Sequence, residues 1–192
     1  MNIYIVRHGQ TDYNINGRYG GRIDVPLNKK GISEAYNVKE KLSGIRFDKV
    51  YSSPLTRAYD TARIITDCDI IKDERIIERS NGELEGKLKS EIEELPDFNN
   101  PNEKRYNIES ITNFRKRINN FLDDIINCDD ENILIVTHAG VGIYIRCYFE
   151  GEPKNSNYYS YKINNCEIIK YNVNKNKKKE QLTYLKKDRW YK

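Results

Sequence analysis

Short apolar runs alternate with longer stretches of helical period along most of the chain. Buried strands are predicted at residues 3–6, 50–52, 70–71 and 133–137. Amphipathic helices, in which apolar residues recur every three or four positions, are predicted over residues 33–42, 55–62, 111–125 and 141–148. We expect the last helix to end at Gly151. Strand and helix alternate throughout, which predicts an α/β fold: a three-layer sandwich with a mainly parallel central sheet flanked by helices and right-handed crossovers.

Two segments depart from this alternation. Residues 161–163 and 167–173 are predicted to form a C-terminal hairpin that completes one side of the sheet. Residues 86–109 are the least regular part of the chain, and we expect them to form a small lid excursion. The length of 192 residues, with 38% hydrophobic content, suits one core, so residues 1–192 are predicted to be a single domain.

Composition narrows the class of protein. No segment approaches the roughly 20 apolar residues that span a bilayer, and the first residues do not resemble a signal peptide, so no membrane partner is expected. The four cysteines are widely spaced without a CxxC pair, which favours free thiols in a reducing, cytoplasmic setting. A net charge of +4 is modest, and the lysines at 175 and 177–179 lack interleaved aromatic residues. We therefore expect no nucleic-acid partner; the oligomeric state stays open.

The two histidines of the chain each follow directly on a predicted strand. In open α/β sheets ligands bind beyond the carboxyl ends of the strands, so His8 and His138 are expected at one edge. Arg57 is in the first turn of its helix and off the apolar stripe, so its guanidinium is expected to be free to turn to the same edge. Arg7 joins them if the chain turns at Gly9. Such cations, together with helix N-termini, predict a phosphate site.

The octet RHGQTDYN at residues 7–14 resembles the signature of the histidine phosphatase superfamily, which includes the cofactor-dependent phosphoglycerate mutases. Further segments resemble those of the family in the same order: NGRYGGRIDVPLNKKG, SSPLTRAYDTA, ERSNGELEG, IESITNFRKRI and VTHAG. The similarity covers residues 1–150. Five ordered matches argue against a chance resemblance.

The resemblance implies that His8 is the nucleophile that becomes phosphorylated and that Glu78 is the proton donor. It also implies that the ligands of the phosphoryl group are Arg7, Arg57 and His138. Asn14 is implied as a further polar contact. Thr11 and Gly21 are candidate substrate contacts, although a turn role explains each of them equally well. Because cations surround the phosphoryl group, we expect no metal and no other cofactor.

Two departures from the family pattern concern the leaving group. Gly21 and Arg22 stand where many relatives have a tryptophan after the glycine, and ERSNGELEG lacks the usual bulky aromatic residue before its acidic-glycine pair. The contacts beside the substrate are therefore expected to be altered. Arg22, Arg105 and Tyr106 are the candidates for leaving-group recognition.

Phosphatases and mutases of this family share the phosphohistidine but pass the phosphoryl group to water or to a bound hydroxyl, respectively. The interval between Glu78 and His138 leaves little room for a large substrate-covering insertion, which favours a phosphatase acting on a small phosphorylated metabolite. Phosphoglycerate mutase-type transfer is the alternative reaction. An inactive module that binds phosphorylated ligands is the alternative of another class, although the retention of His8 and Glu78 argues against it.

Overall fold

The computed structural model describes residues 1–174 and the backbone of residues 188–189. Its strands are β1 (Asn2–Arg7), β2 (Lys49–Ser52), β3 (Ile70–Lys72), β4 (Asn132–Thr137), β5 (Ile168–Asn172) and β6 (Asp188–Arg189). Its α-helices are α1 (Asp12–Ile15), α2 (Lys29–Lys41), α3 (Thr56–Ile65), α4 (Ile111–Ile126) and α5 (Ala139–Glu150). All strands and helices predicted within residues 1–150 are present.

The strands form one sheet in the order β3-β2-β4-β1-β5-β6. The first four strands are parallel, whereas β5 runs antiparallel to β1, and β6 antiparallel to β5. The pairing of β1 with β4 places Arg7 opposite Thr137. His8 and His138, the next residues of the two strands, therefore leave the sheet side by side at its carboxyl edge.

Alternate side chains of β1 are buried on opposite faces of the sheet. Ile3 and Ile5 belong to one core, with α4 and α5. Tyr4 and Val6 belong to the other core, with α2 and α3. None of these four side chains is more than 4% exposed. The three-layer α/β sandwich is thus confirmed, because a two-residue side-chain period on a central strand requires a cover on each face.

Local sequence signals explain where the long helices begin and end. The Asn28 side chain accepts a hydrogen bond from the backbone N–H of Gly31 at 2.9 Å and caps α2. The Ser110 hydroxyl accepts from the backbone N–H of Asn113 at 3.2 Å and caps α4 in the same way. Helix α5 ends before Gly151, as predicted, and this glycine has a φ of 80°.

The C-terminal hairpin was predicted with the wrong first arm. Residues 161–163 are not a strand, and Tyr158–Tyr161 forms a 3₁₀ turn instead. Ile163 is fully buried against α5, where a Cβ added to Gly142 would lie 2.4 Å from its Cδ1 atom. This packing holds the segment away from the sheet. Strand β5 forms as predicted, and the antiparallel completion of the sheet comes from its pairing with β1 and β6.

The irregular segment 86–109 contains two 3₁₀ turns, at Lys89–Glu91 and Arg105–Asn107. Backbone hydrogen bonds tie its start to the loop after α1, from the N–H of Gly86 to the carbonyl of Tyr19 and from the N–H of Tyr19 to the carbonyl of Lys87. A small apolar cluster anchors the rest: Tyr19, Leu84 and Ile108, with Ile92, Phe98 and Tyr106 packed against them. These backbone hydrogen bonds and this small cluster, which is separate from the two main cores, therefore hold the segment in place.

The remaining sequence expectations concern features outside the sheet. The basic run at 175 and 177–179 lies outside the described residues. All four cysteines are free thiols. Within the part of the chain that the structure describes, no helix combines the length and the apolar character needed to cross a bilayer.

Candidate active site

A cavity of about 280 Å³ opens at the carboxyl edge of the parallel strands. Its walls come from the loop after β1, the start of α3, the stretch around Glu78, the first half of α5, and residues of the irregular segment 86–109. Seven of the eight predicted site residues line it: Arg7, His8, Thr11, Asn14, Gly21, Arg57 and Glu78. His138 lies behind this lining, with its ring centroid 5.1 Å from that of His8.

His8 is held as a neutral imidazole with a defined tautomer. Its side chain is 4% exposed, and its Nδ1 lies 2.7 Å from the carbonyl oxygen of Gly9. Burial, and then the charges of Arg7 and Arg57, lower the pKa of His8 well below its ordinary value. A carbonyl only accepts hydrogen bonds, so Nδ1 carries the proton and donates it. The lone pair is therefore on Nε2.

The turn after His8 depends on two glycines that touch. A Cβ on Gly9 would lie 2.3 Å from the carbonyl oxygen of Gly31, at the start of α2. The N–H of Gly9 also donates to the Thr61 hydroxyl at 3.0 Å. No larger residue fits at Gly9, because its α-carbon packs directly against the backbone at the start of α2.

His138 is fully buried at the N-terminus of α5. Its Nε2 lies 2.7 Å from the hydroxyl of Ser53, and that hydroxyl accepts the backbone N–H of Leu55 at 3.3 Å. Its Nδ1 has no hydrogen-bond partner among the described residues. Burial, followed by the charges of Arg57, His8 and Arg7, lowers the pKa of His138 well below its ordinary value. This imidazole is therefore also neutral at neutral pH.

The two arginines are buried and held by backbone carbonyls. Arg7 donates from Nη1 to the carbonyl of Ile163 at 3.0 Å, and its Nε has no partner among the described residues. Arg57 donates from Nη1 and Nη2 to the carbonyls of Ile23 and Gly21, both at 2.8 Å. Arg57 lines the cavity, where it is 3% exposed and its guanidinium is oriented by the loop that contains Gly21.

Glu78 lies beyond a 3₁₀ turn that follows β3. One carboxyl oxygen accepts the backbone N–H of Arg79 at 2.9 Å, and the other accepts the N–H of Gly140 at 3.1 Å. Gly140 is in the first turn of α5, two residues after His138. These contacts bring the carboxyl group to the same cavity as the histidines.

The three predicted substrate contacts also have local structural partners. Thr11 and Asn14 form a reciprocal cap on α1, with bonds of 3.1 and 3.3 Å. Gly21 has a φ of 49°, and a Cβ there would lie 2.2 Å from Oε1 of Glu85. Sequence reasoning missed Asn165, whose Nδ2 donates to the His8 carbonyl at 2.9 Å and to Oδ1 of Asn14 at 3.2 Å.

The leaving-group candidates were placed wrongly. Arg22 donates to Glu109 and to the Glu78 carbonyl, and Arg105 pairs with Glu103 and Glu94; neither lines the cavity, nor does Tyr106. Three other cationic side chains line the cavity and were not predicted from the sequence: Arg18, Arg79 and Lys89. Arg79 directly follows Glu78 in ERSNGELEG, so that motif was the signal available for it.

The charges that line the cavity are strongly unbalanced. Among the described residues, five lining side chains are basic and one, Glu78, is acidic: the basic ones are Arg7, Arg18, Arg57, Arg79 and Lys89. Guanidinium groups match phosphate oxygens, and a buried imidazole nitrogen with a lone pair is a nucleophile. No group of three or more His, Cys, Asp or Glu side chains among the described residues is arranged to hold a metal ion. The arrangement suits binding of a phosphoryl group beside a nucleophile.

Comparison with known proteins agrees with this geometry. Residues 3–185 match the sequence profile of the histidine phosphatase superfamily (branch 1). The chain is 36% identical over 159 residues to a putative phosphoserine phosphatase 2 of Hydrogenobacter thermophilus, an alignment that covers 78% of each protein. It is also 40% identical over 95 residues to a 2,3-bisphosphoglycerate-dependent phosphoglycerate mutase of Gloeobacter violaceus, covering 46% of this chain and 43% of the mutase.

A solved structure gives the same fold. The α-ribazole phosphatase of Shigella flexneri superposes with a TM-score of 0.81 at 25% sequence identity, covering 91% of this chain and 92% of that one.

Proposed function

Because the chain belongs to the histidine phosphatase superfamily, we propose that it hydrolyses a small phosphate monoester through a phosphohistidine intermediate on His8. The observation that carries this proposal is the state of His8. Its imidazole is neutral, and its Nδ1–H is engaged by the Gly9 carbonyl, so the nucleophilic lone pair is on Nε2. Relatives named as phosphatases support hydrolysis as the reaction class.

In the first step, Nε2 of His8 attacks phosphorus while the bond from phosphorus to the ester oxygen breaks. Glu78 gives its proton to that oxygen as the alcohol leaves. Arg7 and Arg57 neutralise the oxygens of the transferring phosphoryl group. In the second step, water attacks phosphorus, Glu78 takes its proton, and the bond from nitrogen to phosphorus breaks to release inorganic phosphate. The positive charges that neutralise the phosphoryl oxygens come from arginine side chains, so the proposed reaction needs no metal.

His138 acts as a neutral hydrogen-bond donor to a phosphoryl oxygen. The Ser53 hydroxyl accepts from the backbone N–H of Leu55 and can therefore direct its own proton to Nε2 of His138. The proton of the imidazole is then on Nδ1, the atom that has no partner among the described residues. Asn14, Thr11 and Gly21 complete the cradle as polar and backbone contacts.

Residues 86–109 serve as the lid of this domain, which spans residues 1–192. Lys89, Phe98 and Asn99 from this segment line the cavity. A lid that covers the leaving group but leaves a path for water suits a phosphatase better than a mutase.

The test is hydrolysis of p-nitrophenyl phosphate and of a panel of phosphorylated metabolites by the native protein and by His8→Ala. We expect the native activity to persist in EDTA and to fall at least about 10³-fold in the variant. Rapid acid-free quenching with ³²P-labelled substrate should trap a phosphoenzyme in the native protein alone. Transfer between 2- and 3-phosphoglycerate without net hydrolysis would instead identify a mutase, and a folded native protein that is inert toward every monoester would contradict the proposal.

A further inference from the structure

The turn that carries the nucleophile has a hydrogen-bond partner for each of its four backbone groups. The His8 N–H donates to the carbonyl of Thr137 at 2.9 Å, and the Gly9 N–H donates to the hydroxyl of Thr61 at 3.0 Å. The Gly9 carbonyl accepts from Nδ1 of His8 at 2.7 Å, and the His8 carbonyl accepts from Nδ2 of Asn165 at 2.9 Å. The proposed reaction gives Asn165 no role, although its side chain completes this set.

Asn165 is held against the end of β1 by hydrogen bonds to Arg7. The pairing of β1 with β5 ends one residue before Arg7. Beyond it, the Cys166 N–H donates to the Arg7 carbonyl at 2.9 Å, and Nη1 of Arg7 donates to the carbonyl of Ile163 at 3.0 Å. These two bonds place the Asn165 side chain beside the carbonyl of His8, where it acts in place of the N–H group of a paired strand.

The same amide group of Asn165 also determines which atom Asn14 presents to the cavity. Nδ2 of Asn165 lies 3.2 Å from Oδ1 of Asn14, and that oxygen accepts the backbone N–H of Thr11 at 3.1 Å. A backbone N–H only donates, so the Asn14 atom at this point is its oxygen and the Asn165 atom that meets it is a nitrogen. Asn14, which lines the cavity, therefore offers its Nδ2 to a ligand there.

The orientation of the Asn14 amide matters because a phosphate dianion only accepts hydrogen bonds. Rotation of the amide by half a turn exchanges its nitrogen and its oxygen, and the oxygen would repel the dianion. The Thr11 N–H opposes that rotation with one bond, and Asn165 adds a second. Because one amide holds both Asn14 and the His8 carbonyl, it also fixes the distance between the nucleophile and this phosphoryl contact.

We propose that Asn165 is a positioning residue for phosphoryl transfer. Its two amide protons hold the carbonyl of His8 and Oδ1 of Asn14, so that the nucleophile and the Nδ2 donor of Asn14 face the same phosphoryl group. This inference rests on the proposed function and adds a residue to it. Asn165 itself is outside the lining of the cavity and acts through the two residues that it holds.

Two substitutions at Asn165 separate hydrogen bonding from the filling of space. Asn165→Ala should lower kcat/KM for p-nitrophenyl phosphate by about 10- to 100-fold. Asn165→Asp keeps the size but puts acceptors where the donors were, so it should lose more than Asn165→Ala. Asn164→Ala is the control, because that exposed side chain bonds Glu167 in the same turn at 3.1 Å, and it should change kcat/KM less than about twofold. An Asn165→Asp variant as active as the native protein would overturn the inference.

A double-mutant cycle tests whether Asn165 acts through Asn14. In the background of Asn14→Ala, the further change Asn165→Ala should cost at least about threefold less in kcat/KM than it costs in the native protein. A general loss of packing predicts instead that the two losses multiply, and that result would overturn the coupling. If Asn165→Ala does not fold, as judged by its unfolding temperature, the same cycle is made with Asn165→Asp.

A binding measurement without turnover separates this inference from the proposed function. Inorganic phosphate is titrated into each protein in a calorimeter. Its Kd should rise about 5- to 10-fold in Asn165→Ala, stay unchanged in Asn164→Ala, and be the same in Asn14→Ala as in the double variant. If phosphate binding depends on Asn165 in this way but the native protein hydrolyses no monoester, the positioning of Asn14 stands and the reaction is rejected. If the native protein is active and the Asn165 variants match it in both kcat/KM and Kd, the reaction stands and the inference is rejected.

Discussion

The two sides of the cavity are built in different ways. On the phosphoryl side, His8 and His138 follow adjacent parallel strands and Arg57 is in the first turn of α3; none of them is more than 4% exposed. On the leaving-group side, Glu78 and Arg79 belong to a long stretch between β3 and α4 that contains only 3₁₀ turns. The first side takes its geometry from the ends of paired strands, and the second takes it from hydrogen bonds between side chains and backbone groups.

The centre of the second side is Glu109. Its carboxylate pairs with Arg117 at 2.8 Å and with Arg22 at 3.1 Å. Arg117 and Arg22 both donate to the carbonyl of Glu78, at 3.1 and 3.2 Å. The proposed proton donor is therefore positioned by one carboxylate acting through two arginines. A single substitution changes the geometry of a sheet edge little, because many backbone hydrogen bonds hold it. One substitution can change the geometry of a side-chain network such as this one. The leaving-group side is therefore the adaptable part of the site.

The largest expected effect that separates the two sides is that of Glu78→Gln. Loss of the proton donor should lower kcat/KM for an alkyl phosphate such as O-phosphoethanolamine by about 10²- to 10⁴-fold. The loss in kcat/KM for p-nitrophenyl phosphate should be far smaller, because p-nitrophenolate departs without a proton and kcat/KM does not include hydrolysis of the phosphohistidine, in which Glu78 also acts. Steady-state kinetics on both substrates measures the difference, and Glu83→Gln, an exposed carboxylate of the same loop, should change neither. Equal losses on the two substrates would assign Glu78 to the phosphoryl side instead.

An intermediate effect is expected for Glu109→Gln. Weaker pairing with Arg117 and Arg22 should displace Glu78 and lower kcat/KM for O-phosphoethanolamine about tenfold. As the residue acts through Glu78, p-nitrophenyl phosphate should again be affected less. Glu94→Gln removes a carboxylate from another arginine pair in segment 86–109 and is the control. A purely structural role of Glu109 predicts the same loss on both substrates.

The smallest expected effect is on the pH dependence of the free energy of unfolding, and it comes from the two histidines of the phosphoryl side. The pKa values of His8 and His138 are lowered by burial, so below about pH 6.5 the unfolded chain binds protons that the folded chain does not. The free energy of unfolding should therefore fall as the pH drops below about 6.5, by about 1.4 kcal/mol per pH unit for each histidine, and this contribution should be constant above that pH.

Urea unfolding at several pH values between 5 and 7.5 measures this dependence. Carboxylates contribute to the slope in every variant, so the comparison is between the native protein and His8→Gln. The variant should show a slope that is smaller by about 1.4 kcal/mol per pH unit. If the free energy of unfolding has the same slope against pH in both proteins, His8 binds protons alike in the folded and unfolded states.

Much of the phosphoryl side could be predicted from the sequence because its features are local. His8 and His138 directly follow apolar strands, and parallel strands end at one edge, so their meeting required no knowledge of side-chain contacts. The position of Arg57 in the first turn of α3 was also foreseeable, but the carbonyls of Ile23 and Gly21 that hold its guanidinium were not.

The leaving-group side could not be predicted to the same degree. The predicted leaving-group contacts, Arg22, Arg105 and Tyr106, all lie outside the lining of the cavity. The guanidinium of Arg79 is oriented by the carbonyls of Phe98 and Glu109, which lie 19 and 30 residues away along the chain. The wrong first arm of the hairpin has a similar cause, because Ile163 is buried against α5 rather than paired in the sheet.

The sequence by itself determined the order of strands and helices, the two faces of the sheet and the identity of the residues at its carboxyl edge. These follow from side-chain periodicity and chain connectivity, which act over a few residues at a time. Only the tertiary structure decided the proton position on His8 and the carbonyls that orient Arg57 and Arg79. Protonation and hydrogen-bond satisfaction depend on burial and on atoms brought together from distant parts of the chain, and no local pattern of residues encodes them.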